Sequence, residues 1–424
     1  MSSLADKLKS MGVKLGAEGL PPPRPRNPHA IEAVVAGQFR ETVHGEVFVS
    51  ETLYPADHRH GQTELRLAGS LRTVARWARE ERVASLPPEG FVFLDTETSG
   101  LAGGTGTYAF LVGIGRHSPE GFRLTQVFMR DPAEEPALLD LVADLLQPCA
   151  ALVTFNGKSF DVPLLRTRFT LDGRELPLGG AAHLDLLPLA RRLWRDRLES
   201  RALSFLEAHI LGAQRDEEEV PGWLVPQLYF DYLRSGDARP LHGVFYHNAM
   251  DVVALAALLN HVTGLLDDPL VNGREHGCDL VALGRLFEDM GQPDRAVELY
   301  ECGLAKDLSE EVLVAAVRRL SYLQRRRGQT VAALELWRLA AGARQVYAHE
   351  ALAKFYEHEM KECAEALRWT EAALRVVEAW PPAPARERAL EDLSHRRDRL
   401  EARLSRIDGG KPVSGPRHGV APTT

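Results

Sequence analysis

The apolar positions of this chain change their period twice. Between residues 91 and 155 they gather in short runs: FVFLD (91–95), TYAFLVGIG (107–115), LTQVFM (124–129) and ALVTF (151–155). Runs of this length, rich in β-branched and aromatic residues, predict buried strands. Apolar residues instead recur at helical spacing in PALLDLVADLLQ (136–147), FDVPLLRTRF (160–169), DLLPLARRLWRDRL (185–198) and HNAMDVVALAALLNHVTGLL (247–266). The early proline at 163 suits a first helical turn. Three strands followed by strand–helix units predict an α/β domain built on a mixed sheet. After about residue 275 only the helical period remains. Upstream, residues 1–14 predict a short amphipathic helix, and GLPPPRPRNPHA (19–30) an extended linker. Residues 31–90 are mixed, with a helical pattern in LRTVARWARE and no assigned role.

The helical stretch repeats itself. Gly291, Ala296 and Tyr300 recur as Gly328, Ala333 and Trp337, and a fainter third copy brings Ala366 to the next alanine position. Helix pairs of about 34 residues, with small residues where helices touch, are the pattern of tetratricopeptide repeats. Residues 275–405 resemble that family; the alternative is an unrelated helical bundle. The Gly-, Pro- and Ser-rich tail, 406–424, is expected to be disordered.

Composition narrows the classes. Of 424 residues, 45% are hydrophobic and 26% charged, which excludes global disorder. The net charge of -8 argues against a histone-like or polybasic membrane-surface protein. Four cysteines without a CxxC pair make a zinc ribbon or a dense disulfide framework a poor fit and point to a cytoplasmic protein. No run is expected to reach the roughly 20 apolar residues of a membrane span.

The residues that carry chemistry are acids at element ends. Asp95 and Glu97 lie in FLDTETSG, where a strand runs out; positions i and i+2 of an extended chain face one side. Asp161 follows ALVTFNGKSF, and Asp251 lies in HNAMDVVALAALL. Four carboxylates suit hard divalent cations, Mg²⁺ or Mn²⁺, and two such ions serve displacement at phosphorus. A DxE pair alone says little, since acids at strand ends are common.

The three motifs in order say more. DTETSG, NGKSFD and HNAMD resemble motifs one to three of the DEDD exonucleases, and LDTETSGLAGGTGTYAFLVGIG, HLDLLPLARRLW and VPGWLVPQLYFDYLRSGD are similar to the YprB-like branch of bacterial RNase H-like exonucleases. The resemblance covers about residues 90–262. It implies an RNase H-like mixed sheet flanked by helices, with Asp95, Glu97, Asp161 and Asp251 as ligands for two ions. It gives Asn156 and Phe160 as companions of Asp161. It further implies hydrolysis of single-stranded nucleic acid from 3′ ends.

The general base departs from the better-known patterns. One branch has His five residues before the last Asp, and the other has Tyr four before it. Here Tyr246 is five before Asp251 and His247 four before it. Residues i and i−4 share a helical face, so a helix that already includes residue 247 aims His247, and not Tyr246, at the site. A neutral His can take a proton from the attacking water near pH 7. The alternative is that His247 only packs the helix.

Weaker signals each have two readings. Asp185 either orients a site residue or caps a helix. Lys158 either touches the scissile phosphate or is solvated. Arg191 and Arg195, in the run 191–201, either track a phosphate backbone or form a solvated face balanced by Asp196 and Glu199. Tyr229, Phe230 and Tyr232 either stack on bases or fill the core. His58 and His60 have metal-binding spacing but no third ligand near in sequence. GGTG (103–106) reads as a turn, and Asp216–Glu219 as a solvated acidic loop.

The expected organisation is thus an N-terminal helix and linker (1–30), an extension (31–90), an RNase H-like exonuclease domain (91–268), helical repeats (275–405) and a tail. Residues 91–262 hold 15 basic and 22 acidic side chains. That balance suits brief contact with a single-stranded end better than a nonspecific grip on duplex. Two other readings stay open: an inactive platform with a protein partner on the repeats, and a structure-specific endonuclease.

Overall fold

The short apolar runs pair into one seven-stranded sheet. A computed structural model describes residues 27–408, except 101–105, 148 and 217–218. The N-terminal helix, most of the linker, the glycines at 103–104 and nearly all of the expected tail lie outside those residues. By compactness the chain divides into two units. One runs up to Leu189 and includes Ser200–Asp267; the other comprises Ala190–Glu199 and the residues from Asp268 onward.

In the first unit the strands are β1 (Gln38–Thr42), β2 (Gly45–Pro55), β3 (Arg59–His60), β4 (Thr63–Glu64), β5 (Phe91–Thr98), β6 (Ala109–Ser118), β7 (Gly121–Phe128), β8 (Ala151–Thr154) and β9 (Ala182–Asp185). The sheet order is β1-β2-β7-β6-β5-β8-β9, with β3 and β4 forming a separate hairpin. Pairing is antiparallel from β1 to β5 and parallel across β5, β8 and β9. This is a mixed sheet flanked by helices, the RNase H-like arrangement. Two features differ from the sequence pattern. Part of the extension 31–90 supplies β1 and β2, so it widens the sheet. β9 was hidden in AHLD, four residues being too few to show a period.

On one face, helix Glu135–Leu146 buries Leu138, Leu139 and Val142 in a core with Val92, Leu94 and Val112. Tyr229 joins that core, its ring stacked 3.9 Å from Phe110 and its hydroxyl donating to the Met129 carbonyl. Tyr232 is buried as well, so of the three aromatics proposed to stack on bases only Phe230 is exposed. Helix Leu241–Asp267 also packs on the sheet. It buries Val252, Val253, Leu255, Leu258 and Leu259, at about 1.5–3 kcal/mol for each fully buried side chain. Two glycines of β6 let it come close. A Cβ on Gly113 would lie 2.3 Å from Asn248 Oδ1, and one on Gly115 2.7 Å from Val252. Contrary to the expectation from sequence, this helix is long and apolar enough to cross a membrane; most of that apolar stretch is buried within the unit.

The second unit is helical among its described residues from Asp268 on. Helices Gly277–Asp289 and Pro293–Leu304 pair, as do Glu310–Arg326 with Thr330–Gly342, and Val346–Phe355 with Cys363–Glu378; Pro384–Asp408 follows. Ala296, Ala333 and Ala366 are each fully buried. Five residues before each stands a left-handed residue: Gly291, Gly328 and Lys361. The third copy was faint in sequence because lysine replaces the glycine that this turn favours.

Candidate active site

Four acids from three elements meet where β5 ends. Asp95 and Glu97 project from β5, which is irregular between Glu97 and Thr98. Asp161 opens helix Asp161–Leu171. Asp251 stands on helix Leu241–Asp267, which the β6 glycines bring onto the sheet at the register where Asp95 pairs with Gly113. Neutral groups hold two of the acids. Asn248 Nδ2 donates to Asp95 Oδ2 at 2.8 Å, and Gln126 Nε2 steadies that amide by donating to Asn248 Oδ1 at 2.9 Å. Thr96 Oγ1 donates to Asp161 Oδ1 at 2.6 Å.

Burial and mutual repulsion show in their proton affinities. Burial first, then the Asp251, Glu97 and Asp161 charges, hold Asp95 well above the usual carboxylate range. Glu97 is pushed up to about 8, chiefly by burial, although His247 pulls the other way. Burial lifts Asp161 to about 6 against the Thr96 hydrogen bond. These are the signs of oxygen donors short of positive charge.

The helix includes residue 247, and His247 points into this group. Its Nε2 lies 3.7 Å from Asp251 Oδ2 and 4.0 Å from Glu97 Oε1, and its Nδ1 bonds Glu219 Oε1 at 2.5 Å. Burial alone would lower its pKa, but the Glu219 bond and the Asp251 and Glu97 charges outweigh it and raise it to about 9. Tyr246 turns elsewhere and accepts from the Asp216 backbone N–H.

The loop before Asp161 is held from β9. Asp185, 4% exposed, accepts from the Asn156 and Lys158 backbone N–H groups at 2.7 and 3.2 Å. It also accepts from Leu187 N at 3.1 Å, so one carboxylate both bonds this loop and caps the start of helix Leu186–Trp194. Asn156 takes a left-handed backbone, which asparagine tolerates better than most residues. Lys158 is exposed beside it. Phe160 is 56% exposed and lines a cleft of about 390 Å³ with Thr96, Thr98, Asp161 and Leu164. A larger cavity of about 1040 Å³ lies within the helical unit, lined by Arg318, Tyr322 and Tyr347 and by none of the four acids.

Other candidates are placed differently. Arg191 and Arg195 fall in Ala190–Glu199, the stretch that groups with the helical unit. Their run makes ion pairs there: Arg195 with Asp196, Arg192 with Asp289, and Arg197 with Asp279. His58 and His60 face different partners: His60 Nε2 bonds Glu207 at 2.7 Å, and His58 packs edge-on to Tyr54. Glu219, read from sequence as part of a solvated loop, belongs to the site. Sequence reasoning also missed Asn248, Gln126, Glu207 and Arg215. Only Asn248 had a signal, its place inside HNAMD.

The donor set fits a hard divalent cation: Asp95, Glu97, Asp161 and Asp251 offer oxygens whose own charges repel. Among the described residues, however, no three His, Cys, Asp or Glu side chains already stand as a finished cation cage. Asn248, Thr96 and Arg215 occupy oxygens of Asp95, Asp161 and Asp251 instead.

Residues 92–263 match the model of the RNase_H superfamily. The chain is also 32% identical, over 336 residues, to the "Uncharacterized protein YprB" of Bacillus subtilis (strain 168). That alignment covers 77% of this chain and 80% of the relative. The chain belongs to the YprB family. Its RNase H-superfamily domain points to a nuclease that engages nucleic acid, and nucleases of this fold generally use divalent metals.

Proposed function

We propose that this chain is a 3′–5′ exonuclease that hydrolyses single-stranded nucleic acid with two divalent ions, Mg²⁺ or Mn²⁺. One observation carries the reading. Glu97 and Asp161, buried, and Asp95, half-buried beside them, all have raised proton affinity. Bound cations at Asp95, Glu97, Asp161 and Asp251 would supply charge stabilisation for the attacking and leaving oxygens at phosphorus. His247 is the base. It is held protonated by Glu219, Asp251 and Glu97, and accepts a proton only once the field of Glu97 and Asp251 is neutralised. Asp185 keeps the Asn156–Phe160 loop in place, and Phe160 offers an exposed ring for an unstacked base. Lys158 stands by for a phosphate. The helical pairs, with their register of buried alanines and left-handed turns, form a TPR-like surface for a protein partner.

The test uses labelled single-stranded DNA and RNA with free or blocked 3′ ends, with Mn²⁺ or Mg²⁺. Nucleotides should leave free 3′ ends only, and Asp95→Ala should stop their release. Equal cutting of blocked ends would make the enzyme an endonuclease. Equal activity of Asp95→Ala would place the chemistry elsewhere.

A further inference from the structure

Asp251 differs from the other three acids in already holding an arginine. Arg215, with its side chain only 8% exposed, spreads its guanidinium over three carboxylates. Nε donates to Glu207 Oε2 at 2.7 Å, Nη1 to Glu219 Oε1 at 2.9 Å, and Nη2 to Asp251 Oδ1. The guanidinium is propped from behind. The Glu207 side chain, 1% exposed, uses its other oxygen on His60 Nε2 at 2.7 Å. His60 lies in the β3–β4 hairpin of the N-terminal extension. That hairpin is tied to the same segment by Gln62 N donating to the Leu211 carbonyl at 2.7 Å. At its tip Gly61 has φ +60, and a Cβ there would lie 2.2 Å from the Leu211 oxygen, so only glycine lets the two segments meet. A surface arginine swings free; this one is fixed at every nitrogen.

We infer that Arg215 is a built-in counter-ion of the cation site, a positioning residue that masks Asp251 and lowers divalent-cation affinity there. The inference rests on the metal-dependent reading above. A divalent ion can use Asp251 fully only if the guanidinium yields that oxygen, and like charges at such distance repel. Glu207 and Glu219 keep the guanidinium buried and paired when it yields, so the exchange does not strand a charge. The N-terminal hairpin thereby gains a role: through His60 and Glu207 it holds the mask in place.

The experiment is calorimetric titration of the full-length protein with Mn²⁺ alone, without nucleic acid, each variant first checked for folding by circular dichroism. Arg215→Gln should bind Mn²⁺ about tenfold more tightly than wild type. Arg215→Lys still neutralises Glu207 but cannot span three carboxylates; it should tighten binding less, and serves if the glutamine variant does not fold. A merely structural arginine would give the opposite sign, since loosening the site would weaken binding. Unchanged or weaker affinity in folded Arg215→Gln, or in Arg215→Lys if only that folds, overturns the inference. Asp95→Ala separates the two ideas. If wild type binds Mn²⁺ and Asp95→Ala binds as well, the metal reading fails. If Asp95→Ala loses binding while the Arg215 variants bind no tighter than wild type, the mask alone fails.

Discussion

Two of the places where this molecule buries carboxylates treat them in opposite ways. In the helical unit Glu357 is 2% exposed and accepts from Arg396 Nη1 and Arg399 Nη2, each at 2.8 Å, with Arg403 3.9 Å away. Its cations come from the helix Pro384–Asp408 packed beside it. At the end of β5, Asp95 is held by a neutral amide and Asp161 by a hydroxyl, and their neighbours are other acids. A structural acid brings its counter-charge with it. Asp95 and Asp161 are left without a cation of their own, which destabilises the chain and makes sense where a cation is to be supplied from outside.

Substitution should break this comparison from both sides. The largest effect is expected for Asp95→Asn, which should cut nucleotide release at least about 10²-fold, as loss of a charge-stabilising group does. The same change removes a repelled charge, so the metal-free protein should melt at the same temperature or higher. Loss of activity together with a lower melting temperature would mean that Asp95 is structural, like Glu357.

Glu357→Ala should do the reverse. It leaves Arg396 and Arg399 without their carboxylate and should cost about 3 kcal/mol. That is the low end for a broken buried pair, because Arg399 is more than half exposed. Chemical denaturation would read the loss, and hydrolysis at low temperature should be unchanged. A neutral outcome would remove the distinction between the two acid sites.

The finest test is pH. Glu97 rises from 4.5 to about 8 in the fold and Asp161 from 3.8 to about 6. A raised carboxylate stabilises the fold fully below its unfolded pKa, and that contribution is lost as pH rises through the folded value. His247, raised from 6.5 to about 9, acts with the same sign. His117 and His183, lowered by burial from 6.5 to about 4, act with the opposite sign between about pH 4 and 6.5, so the melting temperature of the metal-free protein should fall chiefly between about pH 6.5 and 9. Glu97→Gln should flatten the slope, and Mn²⁺ should stabilise more at pH 8 than at pH 5.5. A flat profile in the wild type would show that the acids are not short of charge.

Much of the fold was legible because long elements advertise their period. The runs at 91–95, 107–115 and 124–129 became β5, β6 and β7, and the apolar stretch at 247–266 became the core of a 27-residue helix. β2 and β9 were not legible. β9 is too short to show a period, and GEVFVSETLYP mixes exposed and buried positions without clean alternation. The four acids could be named from sequence because each sits in a local motif. Glu219 and Arg215 could not, since a charged loop reads as solvated unless something is known to pack on it. His60 was noticed for the wrong partner: its neighbour in chemistry is Glu207, 147 residues away.

The sequence by itself determined which four acids to propose for the site and the order of the longer strands and helices, because periodicity and motif are properties of neighbouring residues. Whether His247 or Tyr246 faces the acids was half determined there, waiting only on where the helix begins. The tertiary structure alone decided how charge is distributed around those acids. It did so because Arg215 and Gln126 reach the site from other segments and His60 props Arg215 through Glu207, and a pKa depends on distance in space and on burial, neither of which the linear chain records.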